Sequence, residues 1–147
     1  MKRKRKPSTG EISKYKARMN VDGSKMVKGL HYEETYAPVV QWATIRFFIS
    51  MAILSNWHTR QLDFVLAFTQ ADIERDLYMK LPAGFTVPGR TITEQDRKDY
   101  VLKLEKNLYG QKQAGRVWYL HLKKNLLKLG FKPSMMSASF IMGKQYS

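Results

Sequence analysis

The run WHTRQLDFVLAF at residues 57–68 has the pattern of a strand that delivers one carboxylate, Asp63, to its end and continues into an apolar turn, with the aromatic Phe68 five positions on. Residues 57–64 read as a strand. A carboxylate at a strand end, beside Leu62 and Phe64, is placed to hold a hard divalent cation through oxygen or to cap the helix that follows. Further along, NLYGQKQAGRVWY at 107–119 turns at Tyr109-Gly110, presents Gln111, Lys112 and Gln113, and runs into the pair Trp118-Tyr119. Gly110 has no side chain to obstruct a backbone that approaches a ligand, and the three polar residues behind it offer hydrogen bonds to a nucleotide or template. The other reading is an ordinary turn leading into a helix, with Trp118 and Tyr119 in the core.

Charge narrows the partners. A net charge of +14 on 147 residues points to polyanions, with nucleic acid first and an anionic membrane surface as the alternative. No apolar run is long enough to span a bilayer. A hydrophobic fraction of 44% supports a core and argues against global disorder. The absence of cysteine excludes disulfides, thiolate catalysis and cysteine-ligated zinc. His31, His58 and His121 are too scattered to form a ligand pattern. The opening MKRKRK reads as a nuclear localisation signal, a nucleic-acid-binding arm or a solvated tail. It is not a secretory signal, because no apolar segment follows. The expected setting is intracellular, cytoplasmic or nuclear.

Residues 1–13 are expected to form a flexible basic tail and residues 14–147 one partial domain. Tyr15, Ala17, Met19 and Val21 alternate with Lys16, Arg18 and Asn20, the period of a half-buried strand. Asp22-Gly23 signals a hairpin turn, so 14–30 reads as a hairpin presenting Lys14, Lys16, Arg18, Lys25 and Lys28. Cations on alternate strand positions point the same way, which suits a phosphate grip or a solvated face. Residues 31–41, with Pro38, read as a loop. Thr44 is a possible N-cap for a helix reaching about Asn56, with apolar positions 45, 48, 49, 52 and 53. Its part from Phe47 to Leu54 reads as buried.

A short helix or turn is expected over 65–76, strands over 77–81 and 100–104, and an exposed loop over 86–99. A helix over 116–129 places Trp118, Leu122, Leu126 and Leu129 on one stripe and ends at Gly130. A strand is expected around 139–142. Asp72, Glu74 and Asp76 do not converge at their spacing and read as a solvated face. Helices and strands mix without strict alternation, which predicts the α+β class.

The blocks YKAR (15–18), VKG (27–29), YEETYAPV (32–39), TIR (44–46), QLD (61–63), DLYMKLPAGF (76–85), YVLKLEKNLYGQKQAGRVWY (100–119) and GFKPS (130–134) resemble, in order and spacing, the reverse transcriptase domain of copia-type retrotransposons. The resemblance covers residues 14–142. It implies the fingers and part of the palm of a right-hand polymerase fold, incomplete within residues 1–147. It implies that Asp63 is the first catalytic aspartate, a ligand of the Mg2+ or Mn2+ ions. Nucleotidyl transfer uses two such ions, about 4 Å apart, so one Asp needs partners. It implies that Phe68 is an aromatic steric gate. A ring against C2′ leaves no room for a ribose hydroxyl.

In the same resemblance Lys16 and Arg18 fall where the incoming triphosphate binds, and Tyr109 and Gly110 face the nascent base pair. Lys14, Lys25, Lys28, Gln111, Lys112 and Gln113 are the expected nucleic-acid contacts. The implied partners are an RNA template, a DNA primer, a deoxynucleoside triphosphate and the rest of a polyprotein, with no membrane. The implied location is a virus-like particle in the cytoplasm or nucleus.

Val65, Leu66, Thr69-Gln70, Gly115 and Ser137-Ala138-Ser139 depart from the family's usual residues, as in a divergent branch or a decaying copy. The Tyr-x-Asp-Asp segment that completes the family's metal site is expected beyond Ser147, so residues 1–147 are expected to be inactive alone. The alternatives are a basic nucleic-acid-binding fragment without chemistry and a remnant without function.

Overall fold

A computed structural model describes residues 2–134 and 137–142. In chain order these contain β1 (Lys2–Arg5), β2 (Ile12–Lys16), α1 (Trp42–Leu54), α2 (Ala67–Gln70), β3 (Asp72–Lys80), α3 (Glu94–Asp99), β4 (Val101–Lys106), α4 (Ala114–Lys128), β5 (Lys132–Ser134) and β6 (Ser137–Met142). The strands form three antiparallel ribbons, β1–β2, β3–β4 and β5–β6. The architecture is a mixture of α and β elements in which all strand pairs of the described residues are antiparallel. No helix of the described residues is long and apolar enough to cross a membrane.

The β3–β4 ribbon is built on period-two alternation. Leu77 pairs with Leu104 and Met79 with Leu102, so apolar residues meet across the strands on one face. Near its start β3 slips: Asp72 faces Lys106, but the next regular pair is Leu77 with Leu104. The extra residues on β3 bulge away from β4. Helix α4 packs on α2 and β3 through small side chains, with Ala114 and Val117 buried. Of the expected α4 stripe, Trp118, Leu122 and Leu126 are only half-buried and Leu129 is exposed. The buried apolar set of the described residues is Met26, Ala52, Ala71, Leu77, Ala114 and Val117.

Several expectations change in three dimensions. The hairpin lies at 2–16 rather than 14–30, and residues 2–5 of the expected tail form its first strand. Its turn is at Pro7–Gly10, closed by Lys6 N–H to Glu11 O at 2.9 Å and Gly10 N–H to Lys6 O at 3.0 Å. Asp22-Gly23 instead opens a one-turn 3-10 helix, Gly23–Lys25, in which the Asp22 side chain accepts from Ser24 N–H. The run after β2 has a different partner: Asn20 bridges Tyr109, and Val21 N–H donates to Tyr109 O at 2.8 Å.

Residues 57–64 form no strand. A strand persists only where a neighbour satisfies its backbone groups, and no described strand pairs with this segment. Helix α1 forms but is not buried: Ala52 alone is enclosed, while Trp42, Ile49, Ile53 and Leu54 are exposed. A helix apolar around most of its circumference needs neighbours on several sides, and the described residues cover only one. Its N-cap is Gln41 rather than Thr44.

The expected loop at 86–99 holds α3, started by a capping box in which Thr93 and Asp96 satisfy each other's backbone N–H. Arg90 pairs with Asp96, and Arg97 Nη1 donates to Pro82 O at 3.0 Å, tying the connection to the end of β3. The strand expected at 139–142 is found as part of β6, paired with β5.

Candidate functional site

Three residues distant in sequence meet beside the α2–β3 junction. Phe68, on the single turn of α2, packs edge-on against Tyr109, with ring centroids 4.8 Å apart and an interplanar angle of 63°. Arg18, beyond the end of β2, lays its guanidinium over the Tyr109 ring, with Cζ 5.4 Å from the centroid. Both rings are half-buried, so each keeps an open edge. An arginine stacked on a ring retains its in-plane donors. The cluster therefore offers an angled apolar wall of two rings with guanidinium donors at one border.

The wall is held by an interlock of two turns. Tyr109 O accepts from Val21 N–H, and Gly110, with φ at +88°, passes under the Val21 carbonyl. A Cβ on Gly110 would lie 2.1 Å from Val21 O, and a Cβ on Gly23 would lie 2.2 Å from Gly110 O. The backbone that Gly110 admits is thus the chain's own. Lys112 fastens the same pair of loops: its Nζ donates to Met26 O at 3.3 Å and Tyr32 Oη at 3.4 Å and lies 5.3 Å from the Tyr32 ring.

Gln111 and Gln113 are 6% and 4% exposed, so these expected nucleic-acid contacts point inward. Gln111 Oε1 accepts from Leu108 N–H at 3.1 Å, bracing the turn.

Asp63 lies in the irregular segment between α1 and α2 and is exposed. Its neighbour Phe64 is anchored edge-on to Trp118 of α4 at 5.2 Å. Among the described residues no side chain hydrogen-bonds or pairs with Asp63, and no three carboxylate, imidazole or thiol groups are grouped to hold a metal ion.

The carboxylates along β3 are each engaged elsewhere. Asp72 pairs with Lys106, Glu74 with Arg116 at 3.1 Å, and Asp76 with Lys103 at 2.8 Å. The hydrogen bond from Lys106 holds the Asp72 carboxyl below its ordinary range, and the one to Asp76 raises Lys103. Lys14 and Lys28 are exposed, and Lys25 pairs loosely with Asp22 at 3.5 Å. The side chain of Lys16 lies outside the described residues. A shallow groove of about 370 Å³, lined by Glu34, Tyr36, Pro38, Arg116, Tyr119 and Leu120, contains none of the expected site residues.

Phe68, Tyr109, Arg18, Gly110 and Lys112 are legible in the sequence, the last two as ligand contacts rather than as the parts that hold the wall. Gly23 has only the turn signal of Asp22-Gly23, and Asn107 has none.

A family model described as reverse transcriptase (RNA-dependent DNA polymerase) matches residues 2–145. The chain belongs to the reverse transcriptase family. It is 41% identical over 132 residues to the retrovirus-related Pol polyprotein from transposon RE1 of Arabidopsis thaliana, covering 90% of this chain and 8% of that protein. It is 39% identical over 132 residues to the corresponding polyprotein from transposon RE2 of the same plant. It is 40% identical over 110 residues to the polyprotein from transposon TNT 1-94 of Nicotiana tabacum, covering 75% of this chain. The reverse transcriptase segment thus spans less than a tenth of the length of the Pol polyproteins it matches. No solved structure matches it.

Proposed function

We propose that this reverse transcriptase segment supplies the nucleotide-selecting wall of an RNA-directed DNA polymerase, as part of its fingers and palm. The observation that carries the reading is the convergence of Arg18, Phe68 and Tyr109 from three separate stretches of chain. The triphosphate of an incoming deoxynucleotide lies toward Arg18 and the β2 strand that carries Lys16. Its sugar rests against Phe68, whose ring is backed by Tyr109 and cannot retreat. A ribose 2′-hydroxyl in that position meets the ring, so deoxynucleotides are favoured. Gly110 serves the site by letting Tyr109 sit beside Val21.

Lys14, Lys28 and Lys25 give a basic approach for the RNA template and DNA primer. Asp63 offers one oxygen ligand to a Mg2+ or Mn2+ ion. One exposed carboxylate does not make a two-ion site, and the described residues add no companion to it. The rest of the Pol polyprotein is the structural partner.

The test uses the intact reverse transcriptase that carries residues 1–147. Phe68→Ala should raise incorporation of ribonucleotides relative to deoxynucleotides on the order of a hundredfold, as expected when a steric rejection is removed. An unchanged ratio would show that Phe68 is not the gate.

A second reading, a basic segment that binds nucleic acid without chemistry, draws on the β1–β2 register. There Lys4 faces Lys14. Like charges directly opposite are unfavourable, and a polyanion relieves them.

A further inference from the structure

Asn107 is completely buried, although amides are rarely enclosed without a task. Its side-chain Nδ2 donates to Ala71 O at 3.1 Å and to Asp72 O at 2.9 Å, and its backbone N–H also reaches Ala71 O at 3.4 Å. One amide therefore grips two consecutive carbonyls at the α2–β3 junction. Ala71 is the C-cap of α2, and its own N–H donates to Phe68 O at 3.3 Å. On the other side, Asn107 stands two residues before Tyr109. The grip joins the two backbones that carry the facing rings of Phe68 and Tyr109.

The sheet does not supply this joint. Regular β3–β4 pairing breaks between Asp72 and Leu77, leaving Asp72–Lys106 as an outlying pair beyond the bulge. The Asn107 amide adds its two bonds just beyond that outlying pair, at the point where α2 turns into β3. Ala71 is fully buried, so no water stands ready at its carbonyl, and leaving that carbonyl without a donor is costly.

We infer that Asn107 is a positioning residue that sets the spacing of Phe68 against Tyr109, and through it the sugar selectivity of the site. This rests on the reading of Phe68 as the gate. Asn107 touches no nucleotide. It acts by keeping the Phe68 backbone from drifting away from the Tyr109 turn.

The experiment measures the ratio of deoxynucleotide to ribonucleotide kcat/KM in the intact reverse transcriptase carrying residues 1–147, for Asn107→Ala, Asn107→Ser and Phe68→Ala. Serine keeps a single donor in place of two and guards against a variant that does not fold. Asn107→Ala should lower the ratio on the order of tenfold, the scale of losing one or two neutral hydrogen bonds, with Asn107→Ser in between. The ratio should fall chiefly through faster use of ribonucleotides, which a general loss of folded enzyme does not produce. If Phe68→Ala collapses the ratio while both Asn107 variants leave it within about twofold of the parent, Asn107 plays no part in selectivity and the inference is overturned. If Phe68→Ala itself leaves the ratio unchanged, the gate reading fails, and the inference falls with it.

Discussion

Replacing Gly110 with alanine tests the interlock directly. Gly110 holds φ at +88°, and its added Cβ would lie 2.1 Å from Val21 O and 3.1 Å from Val21 C. An L-residue forced into left-handed backbone costs about 1–2 kcal/mol. Relieving the overlap means moving Val21 away, which gives up its 2.8 Å hydrogen bond to Tyr109 O, a further ~1 kcal/mol. The expected loss is thus about 2–3 kcal/mol, a large fraction of the stability of a small domain.

Two controls separate the contributions. Gly84 also has positive φ, at +76°, but open space around it, so Gly84→Ala should cost only the backbone part, about 1–2 kcal/mol. Gly23→Ala meets Gly110 O at 2.2 Å without left-handed backbone, so it should show the overlap alone. Urea unfolding followed by circular dichroism gives the midpoints, provided the slopes stay equal. The Gly23/Gly110 double variant should lose less than the sum of the singles, because one displacement relieves both contacts. Equal losses for Gly110→Ala and Gly84→Ala would refute the interlock.

The α3 capping box and the basic hairpin make two further predictions. Thr93→Ala should cost about 1 kcal/mol through loss of the cap, read as a lower urea midpoint. Thr93 N–H, the Thr93 hydroxyl and Arg90 hold the Asp96 carboxyl below its ordinary value. A carboxylate depressed in the folded state stabilises above its unfolded pKa and loses that contribution as pH falls through the folded one. Acid titration should therefore melt the 90–99 connection at higher pH in Thr93→Ala than in the parent; identical acid midpoints would refute the role of the box. Residues 1–147 should also bind single-stranded RNA and DNA with little sequence preference, weakening on the order of tenfold or more between 50 and 200 mM salt. Lys4→Glu with Lys14→Glu should flatten that dependence, and affinity indifferent to salt would sink the polyanion reading.

The elements that could be read from the chain are those whose determinants are local. The apolar spacing of α4, the alternation at 77–81 and 100–104, and the glycine at 130 each report on neighbours within a few residues. Thr93 and Asp96 were equally local, and their spacing carries the capping-box signal that places α3 in an expected loop. The family resemblance also named Phe68, Tyr109 and Arg18 without showing how they meet.

Tertiary structure decided the rest. The run ending at Val21 has strand periodicity, but its hydrogen bonds go to Tyr109 rather than across Asp22-Gly23, a choice made by a partner far along the chain. Residues 57–64 have the composition of a strand and, without a described partner, form none. Helix α1 has a buried helix's residues on an exposed surface, because burial depends on what packs against it. Gln111 and Gln113 look like ligand contacts in sequence and are buried in the fold. Asn107 shows the limit most plainly: its amide matters only because two carbonyls from the α2–β3 junction lie within its reach. Periodicity and propensity are properties of neighbouring residues, whereas ladder partners, burial and the gap between two rings are properties of segments brought together from a distance.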